Sequence, residues 1–355
     1  MLREIFTLSS THTSRLAWID YAKGIAISMV VFRHLTIGME RAGVYIDPAL
    51  FAFIDEVGVS FRMPLFFLLS GIFFRKSIEK RSHGGYLLHK SKTILYPYLL
   101  WSFIITSLQI LLSGYSNTQA DMINYLHIFV QPWGHWWFLY ALFNVSALYM
   151  LMHLLSRGYR LPLLAAGAGL YFASPLLEGY TVLQDICALF IFFAIGDLLA
   201  NTLAGKQASP QLGSGKLLLL LALAAGLGEW ILFEKFLGTP ASLLLLVALA
   251  GSGCTMLFSH WLAGLHHPRL DVIRTIGQHS LYIYLLHAPV GAAIRALFLY
   301  GAGITNYWII IPLAFPAALL LPLYFYRLCM RLGLRVLFNP PFSGAKETTL
   351  SPANS

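Results

Sequence analysis

The sequence predicts an all-α, polytopic integral membrane protein of about ten transmembrane helices with both termini in the cytoplasm. Three observations carry that reading. Of its 355 residues, 58% are hydrophobic and only 11% are charged, against about a quarter charged in soluble domains. Ten apolar stretches of roughly 17 to 25 residues recur, the length that crosses a hydrocarbon core as a helix: 17–37, 57–76, 94–113, 136–155, 161–177, 183–203, 216–236, 240–259, 276–300 and 307–329. The cations are also distributed asymmetrically. With the N-terminus inside, eighteen Lys and Arg fall in inner segments and only Arg41 and Lys235 in outer loops, while Lys23, Arg33, Arg62 and Arg295 lie within spans. That bias fixes orientation, so the net charge of +9 reads as topology and no nucleic-acid partner is expected. The chain divides into a leader (1–16), a membrane domain (17–330) and a mostly disordered cytoplasmic tail (331–355).

Residues 1–16 are polar and contain no apolar h-region, so the first span is expected to act as an uncleaved signal anchor. That span carries Asp20, Lys23, Arg33 and His34, each costing about a few kcal/mol or more to bury in lipid. Lys23 and His34 are eleven residues apart. At ~100° and ~1.5 Å per residue they point within roughly 20° of one face, ~16 Å apart along the axis. A cation near one membrane surface is thereby aligned with an imidazole near the other. Asp20 and Lys23 taken alone also fit side chains snorkelling to the interface.

The outer loop 38–56 is acidic, with Glu40, Asp47, Asp55 and Glu56. In the second span Arg62 sits about one turn from the outer surface, at the depth of His34. Pro64 and Ser70-Gly71 suggest a kinked helix packed closely on a neighbour. The inner loop 75–93 is the most basic, with Arg75, Lys76, Lys90 and Lys92 among its cations; it suits anionic headgroups or the phosphates of a nucleotide-containing cosubstrate. The outer loop 114–135 closes on Trp133, Trp136 and Trp137, an aromatic belt or a platform for a sugar face.

Spans five to eight are rich in leucine and small residues, with Asp185, Asp197 and Glu229 as polar contacts between helices. No internal repeat supports a transporter of two related halves. Cys187, Cys254 and Cys329 lie in spans and read as packing residues. His260, His266 and His267 lack ligand spacing, so no metal is expected. Span nine places His287 near mid-membrane and Arg295 nearer the outer layer, with core packing the simpler reading for His287.

Four stretches occur in order: Asp20-Tyr-Ala-Lys23-Gly-Ile-Ala with His34; Phe66-Phe-Leu-Leu-Ser70-Gly71; Trp137-Phe-Leu; and Ile276-Gly with Ser280-Leu-Tyr-Ile-Tyr-Leu-Leu-His287. Together they resemble the membrane-bound acyltransferase family 3, O-acyltransferases of the bacterial envelope that include fucose and other sugar O-acetyltransferase-like members. The resemblance covers roughly residues 15 to 330. It implies a multi-pass protein of the bacterial inner membrane that transfers an acyl group, commonly acetyl from acetyl-CoA, to a hydroxyl of a carbohydrate or lipid-linked envelope acceptor. Acyl-CoA would be a cosubstrate, with no bound cofactor. The family typically carries arginine ten intervening residues before its essential histidine. Here Lys23 occupies that position, keeping the charge without the planar fork.

The expected chemistry follows. CoA phosphates would lie near Lys23, Arg75, Lys76, Lys90 and Lys92, with the pantetheine arm reaching toward His34. His34 would be the general base, because an unperturbed imidazole titrates close to neutrality. Arg62 or Arg33 would stabilise the oxyanion. Asp20, Ser70 and His287 would be supporting, and the acceptor would stack on Trp133, Trp136 and Trp137. Direct attack and a transient acyl-histidine both fit the residues. A carrier of an anionic or sugar-linked solute, using the same cations as binding groups, is the other class of function the spans permit.

Overall fold

The computed structural model describes residues 16–111, 122–132, 134–204, 215–234 and 240–341. The leader up to Arg15, Trp133 with its expected acceptor role, and the tail beyond Pro341 lie outside the described residues. In chain order the helices are α1 (Ala17–Arg41), α2 (Pro48–Glu56), α3 (Val59–Ile72), α4 (Phe74–Lys90), α5 (Tyr96–Leu111), α6 (Asn124–Val130), α7 (Trp137–Leu155), α8 (Arg160–Ala173), α9 (Thr181–Ala204), α10 (Gly215–Glu234), α11 (Ala241–Gly264), α12 (Asp271–Gln278), α13 (Ser280–Ala296) and α14 (Tyr307–Arg331). Among the described residues, nine helical stretches are long and apolar enough to cross a membrane.

The tenth expected span, 57–76, is the exception. Its helix α3 has 14 residues, about 21 Å of rise, short of a hydrocarbon core of about 30 Å. The helix begins after Gly58, held at φ 71°, and ends at Phe73. Hydropathy runs through both points, which is why the sequence reads longer than the helix.

Three expected loops contain helix. The basic stretch 75–93 forms α4, broken by Ser82 at φ 65°, and a π-helical turn, Ser91–Leu95, joins it to α5. The acidic stretch 38–56 includes the end of α1 and the whole of α2, whose first turn is capped by the Asp47 carboxylate accepting from Ala49 and Leu50 N–H at 3.0 Å. Pro48 occupies the first turn, where its missing N–H costs no hydrogen bond. Loop 114–135 contains α6. Span nine is also divided: Ile276-Gly277-Gln278 closes α12, and α13 starts after His279.

The described parts of the chain form two compact units, Met1–Phe73 with Phe192–Tyr326, and Phe74–Ile191 with Arg327–Ser355. In the first, α1 is the central element. It packs against α2, α3, α11, α12 and α13, and reaches α14 through a Thr36–Tyr307 hydroxyl pair at 3.2 Å and an edge-to-face Phe32–Phe315 contact at 5.4 Å. Its apolar residues are buried on several faces, among them Ile19, Ala22, Ile27, Val31 and Leu35, as expected of a helix enclosed by neighbours.

Glycine makes the closest approaches possible. A side chain on Gly24 would overlap the Ile273 carbonyl, and one on Gly277 would overlap the Asp20 carbonyl, so α1 and α12 meet backbone to backbone. Gly71 on α3 and Gly196 on α9 do the same reciprocally, against the carbonyls of Phe193 and Leu68. Small residues at such crossings are how membrane helices gain packing where lipid supplies no hydrophobic drive.

In the second unit, Phe74 is packed edge-on by Tyr86 and Tyr149 at 5.2 and 4.8 Å, arrangements favoured by the ring quadrupoles. The start of the tail is ordered: Tyr96 hydroxyl donates to Val336 O at 2.7 Å, Trp101 Nε1–H to Leu337 O at 2.8 Å, and Phe338 is buried.

Candidate active site

The C-terminal half of α1 brings together several of the expected site residues. The helix is unbroken from Ala17 to Arg41, so the same-face spacing of Lys23 and His34, about 16 Å of rise, holds. His34 is half-buried and meets His287, a buried residue of α13, with ring centroids 5.1 Å apart. His34 Nδ1 lies 2.8 Å from Val30 O, and His287 Nδ1 lies 2.8 Å from Tyr284 O and 3.2 Å from Ile283 O. A carbonyl oxygen only accepts, so each Nδ1 carries the proton and, in the neutral ring, each Nε2 carries the lone pair. The imidazole is therefore oriented by a backbone carbonyl of its own helix.

Three charged groups surround it. Arg33, Arg62 and Asp55 all lie within electrostatic reach of His34. Arg33 is held by Asp55 twice, Nη2 to the carboxylate at 2.5 Å and Nε–H to the backbone oxygen at 2.9 Å. Arg62 is buried with Glu229, Asp55 and Arg33 around it. Glu229, on α10, accepts from the Ser60 hydroxyl.

The N-terminal end of α1 is arranged otherwise. Asp20 is 2% exposed and accepts from Gln278 Nε2 at 3.0 Å, with Arg274 Nε at 3.8 Å. It lies fourteen residues before His34, about 21 Å along the helix, and clasps α12. Lys23 is half-buried three residues further on. Ser70, half-buried on α3, stands about 12 Å along that helix from Arg62, beside the Gly71 crossing.

The second unit holds the other expected residues. Arg75 Nη2 donates to Gly158 O at 2.9 Å, and a cavity of about 640 Å³ is lined by Arg75, Gly158, Tyr159, Arg160, Leu161 and Pro162. Lys76 is exposed. Lys90 lies 5.6 Å above the Tyr86 ring, and Lys92 is half-buried in the π-helical turn. Trp136 is buried against His135, ring centroids 4.4 Å apart, and Trp137 is half-buried against Phe138. Among the described residues no group of three His, Cys, Asp or Glu could hold a metal ion.

The profile of the family described as "Acyltransferase domain", acyltransferase family 3, matches residues 16–327, a range that includes α1, the histidine pair and the Arg75 cavity. The chain belongs to acyltransferase family 3. This family comprises bacterial envelope O-acyltransferases, and membership supports a multi-pass place in the bacterial inner membrane. A further likeness is to the nodulation protein NolL of Sinorhizobium fredii (strain NBRC 101917 / NGR234), 26% identical over 207 residues, which are 56% of this chain and 52% of that relative. The chain thus spans about half the length of the curated relative it matches. No solved structure matches it.

Within this family member, sequence reasoning missed the partners that tertiary structure supplies. Gln278 and Arg274 close on Asp20, and Arg160 joins Arg75 at the cavity. Gln278 adjoins the Ile276-Gly277 motif, which was its only signal. Glu229 read as one of three carboxylates in apolar spans, with Asp185 and Asp197, and nothing in the sequence ties it to Ser60 or Arg62.

Proposed function

We propose that this chain is a membrane acyltransferase that moves an acyl group, acetyl from acetyl-CoA in the first instance, to a hydroxyl of a carbohydrate or other envelope acceptor, with His34 as general base. The observation that supports it most is the Nδ1 contact of His34 with Val30 O at 2.8 Å, which leaves the basic lone pair on Nε2. Nε2 takes the proton of the acceptor hydroxyl as its oxygen forms a bond to the acyl carbon. Collapse of the tetrahedral intermediate breaks the C–S bond, and the imidazolium returns the proton to the departing CoA thiolate. Arg62, rather than the Asp55-bound Arg33, supplies positive charge to the oxyanion in this reading.

Donor binding is assigned to two sets of residues. In the second unit Arg75 and Arg160 line a cavity of a size common for small-molecule sites, where guanidinium groups suit phosphate; Lys76, Lys90 and Lys92 add charge nearby in the sequence. In the first unit Lys23 keeps its expected donor contact. Trp133, Trp136 and Trp137 remain the proposed acceptor side, with buried Trp136 supporting the other two more than offering a face itself. His287 is assigned to the support of His34.

Residues 17–330 form the acyltransferase domain in this proposal, with both termini cytoplasmic. That topology needs an even number of crossings, so the 14-residue α3 is taken as a tenth, short one. The charge asymmetry of the loops supports it.

The test compares polysaccharide, glycan and lipid fractions from cells carrying the wild-type chain, His34→Ala, or neither. An acyl mass increment present only with the wild type, and CoA thiol release that disappears with His34→Ala, are expected. Full activity in His34→Ala, or solute flux without thiol release, overturns the proposal.

A further inference from the structure

Three intramembrane arginines belong to the first unit, and they differ in what surrounds them. Arg33 is bound by Asp55, and Arg62 has Glu229 and Asp55 in its field. Arg295 has no such neighbour: among the described residues no carboxylate lies within ion-pair distance of it, and Tyr300 is the one titratable group in its field. It is half-buried, so its charge has lost part of its hydration with no carboxylate among the described residues to replace it, an arrangement that favours an anionic ligand.

Its position relative to the reacting group is defined. Arg295 lies eight residues beyond His287 on α13, and its guanidinium folds back onto α1 at Gly38, where a side chain would meet Nη1. Gly38 is one helical turn beyond His34, on the same face and about 6 Å further along the axis. Gly291, between His287 and Arg295, faces Leu35, so the two helices stay in contact along this strip. The guanidinium is thereby held one turn outward of the histidine pair, over a glycine that leaves room for it.

We infer that Arg295 is an acceptor-specificity residue, which binds a phosphate or carboxylate group carried by the acceptor while the hydroxyl to be acylated lies at His34. This rests on the proposed acyl transfer and narrows it to an anionic class of acceptor: a sugar phosphate, a diphosphate-linked sugar or an acidic sugar. A planar guanidinium at fixed height above a general base selects acceptors by the distance between their anionic group and their reactive hydroxyl. An anionic lipid headgroup presents the same chemistry, and the experiment separates the two.

The full chain is placed in nanodiscs of phosphatidylcholine alone, or of phosphatidylcholine with phosphatidylglycerol. Thiol release from acetyl-CoA is followed with the envelope fraction that the wild type acylates, using glucose 1-phosphate as competitor and methyl glucoside as its neutral control. Arg295→Met is expected to raise the acceptor KM about tenfold or more with kcat nearly unchanged, and to abolish competition by glucose 1-phosphate. Gly38→Ala, which displaces the guanidinium without altering charge, is expected to shift KM in the same direction by less. Glucose 1-phosphate, and not methyl glucoside, is expected to raise the melting temperature of the wild type but not of Arg295→Met, a readout that needs no turnover.

Unchanged KM, competition and melting shift in Arg295→Met overturn the inference. So does an effect seen only with phosphatidylglycerol, which assigns the anion to the bilayer. If wild type and His34→Ala release thiol equally, the acyl-transfer proposal fails, and the melting shift still decides whether Arg295 holds an anion.

Discussion

The two ends of α1 carry comparable polar groups and use them in opposite ways. At the N-terminal end, Asp20 is almost wholly buried, bonded to Gln278 and faced by Arg274. The backbone there touches α12 through Gly24 and Gly277. Toward the C-terminal end, His34 is half-buried, its Nδ1 occupied by its own helix and its ring set edge-on to His287. An acidic side chain faced by donors on a close-packed crossing joins two helices. An imidazole anchored through one nitrogen, with its other nitrogen on the far side of the ring, fits the proposed proton transfer. Charge in a membrane helix is therefore read by how its hydrogen-bonding capacity is used, not by its presence.

The largest effect expected from breaking this contrast is at His34. His34→Ala should lower acyl transfer by about 10²- to 10⁴-fold, the usual share of a general base, while the amount of protein in the membrane stays at the wild-type level on immunoblots. At the Asp20 end Gly277→Leu should do the reverse and remove folded protein, because its side chain would displace the Asp20 carbonyl. A cost of about 3 kcal/mol or more is expected from such overpacking, read as lost monodispersity and a lower melting temperature. Asp20→Ala should destabilise by about 1.5–3 kcal/mol, the worth of a charge-assisted hydrogen bond, with turnover per folded molecule retained. The smallest effect belongs to Arg33 and Asp55. Their side chains are 28% and 34% exposed, so a double-mutant cycle on stability should give a coupling of only about 0.2–1 kcal/mol. A coupling several times larger would move that pair from the rim of the site into its framework.

Much of this was legible in the chain. Hydropathy located nine helices long enough to cross, and the eleven-residue interval placed Lys23 and His34 on one face because α1 has no break. Composition does not register backbone breaks, so 57–76 looked like a full span although Gly58 and Phe73 bound a 14-residue helix, and 276–300 hid the interruption at His279. The basic stretch 75–93 looked like a loop because charge was weighed above helix-forming residues, and helix α4 with its π-helical turn now fills it. Pairings across long sequence separations, Asp20 with Gln278 or His34 with His287, have no local signature. Only the packing of α12 and α13 on α1 reveals them.

The most direct test of the contrast is CoA thiol release per folded molecule, measured side by side for wild type, His34→Ala and Asp20→Ala after correction for the folded fraction by size-exclusion profile. The account predicts near-complete loss for His34→Ala and wild-type turnover for the folded portion of Asp20→Ala. Full turnover without His34, or turnover lost in well-folded Asp20→Ala, would contradict it.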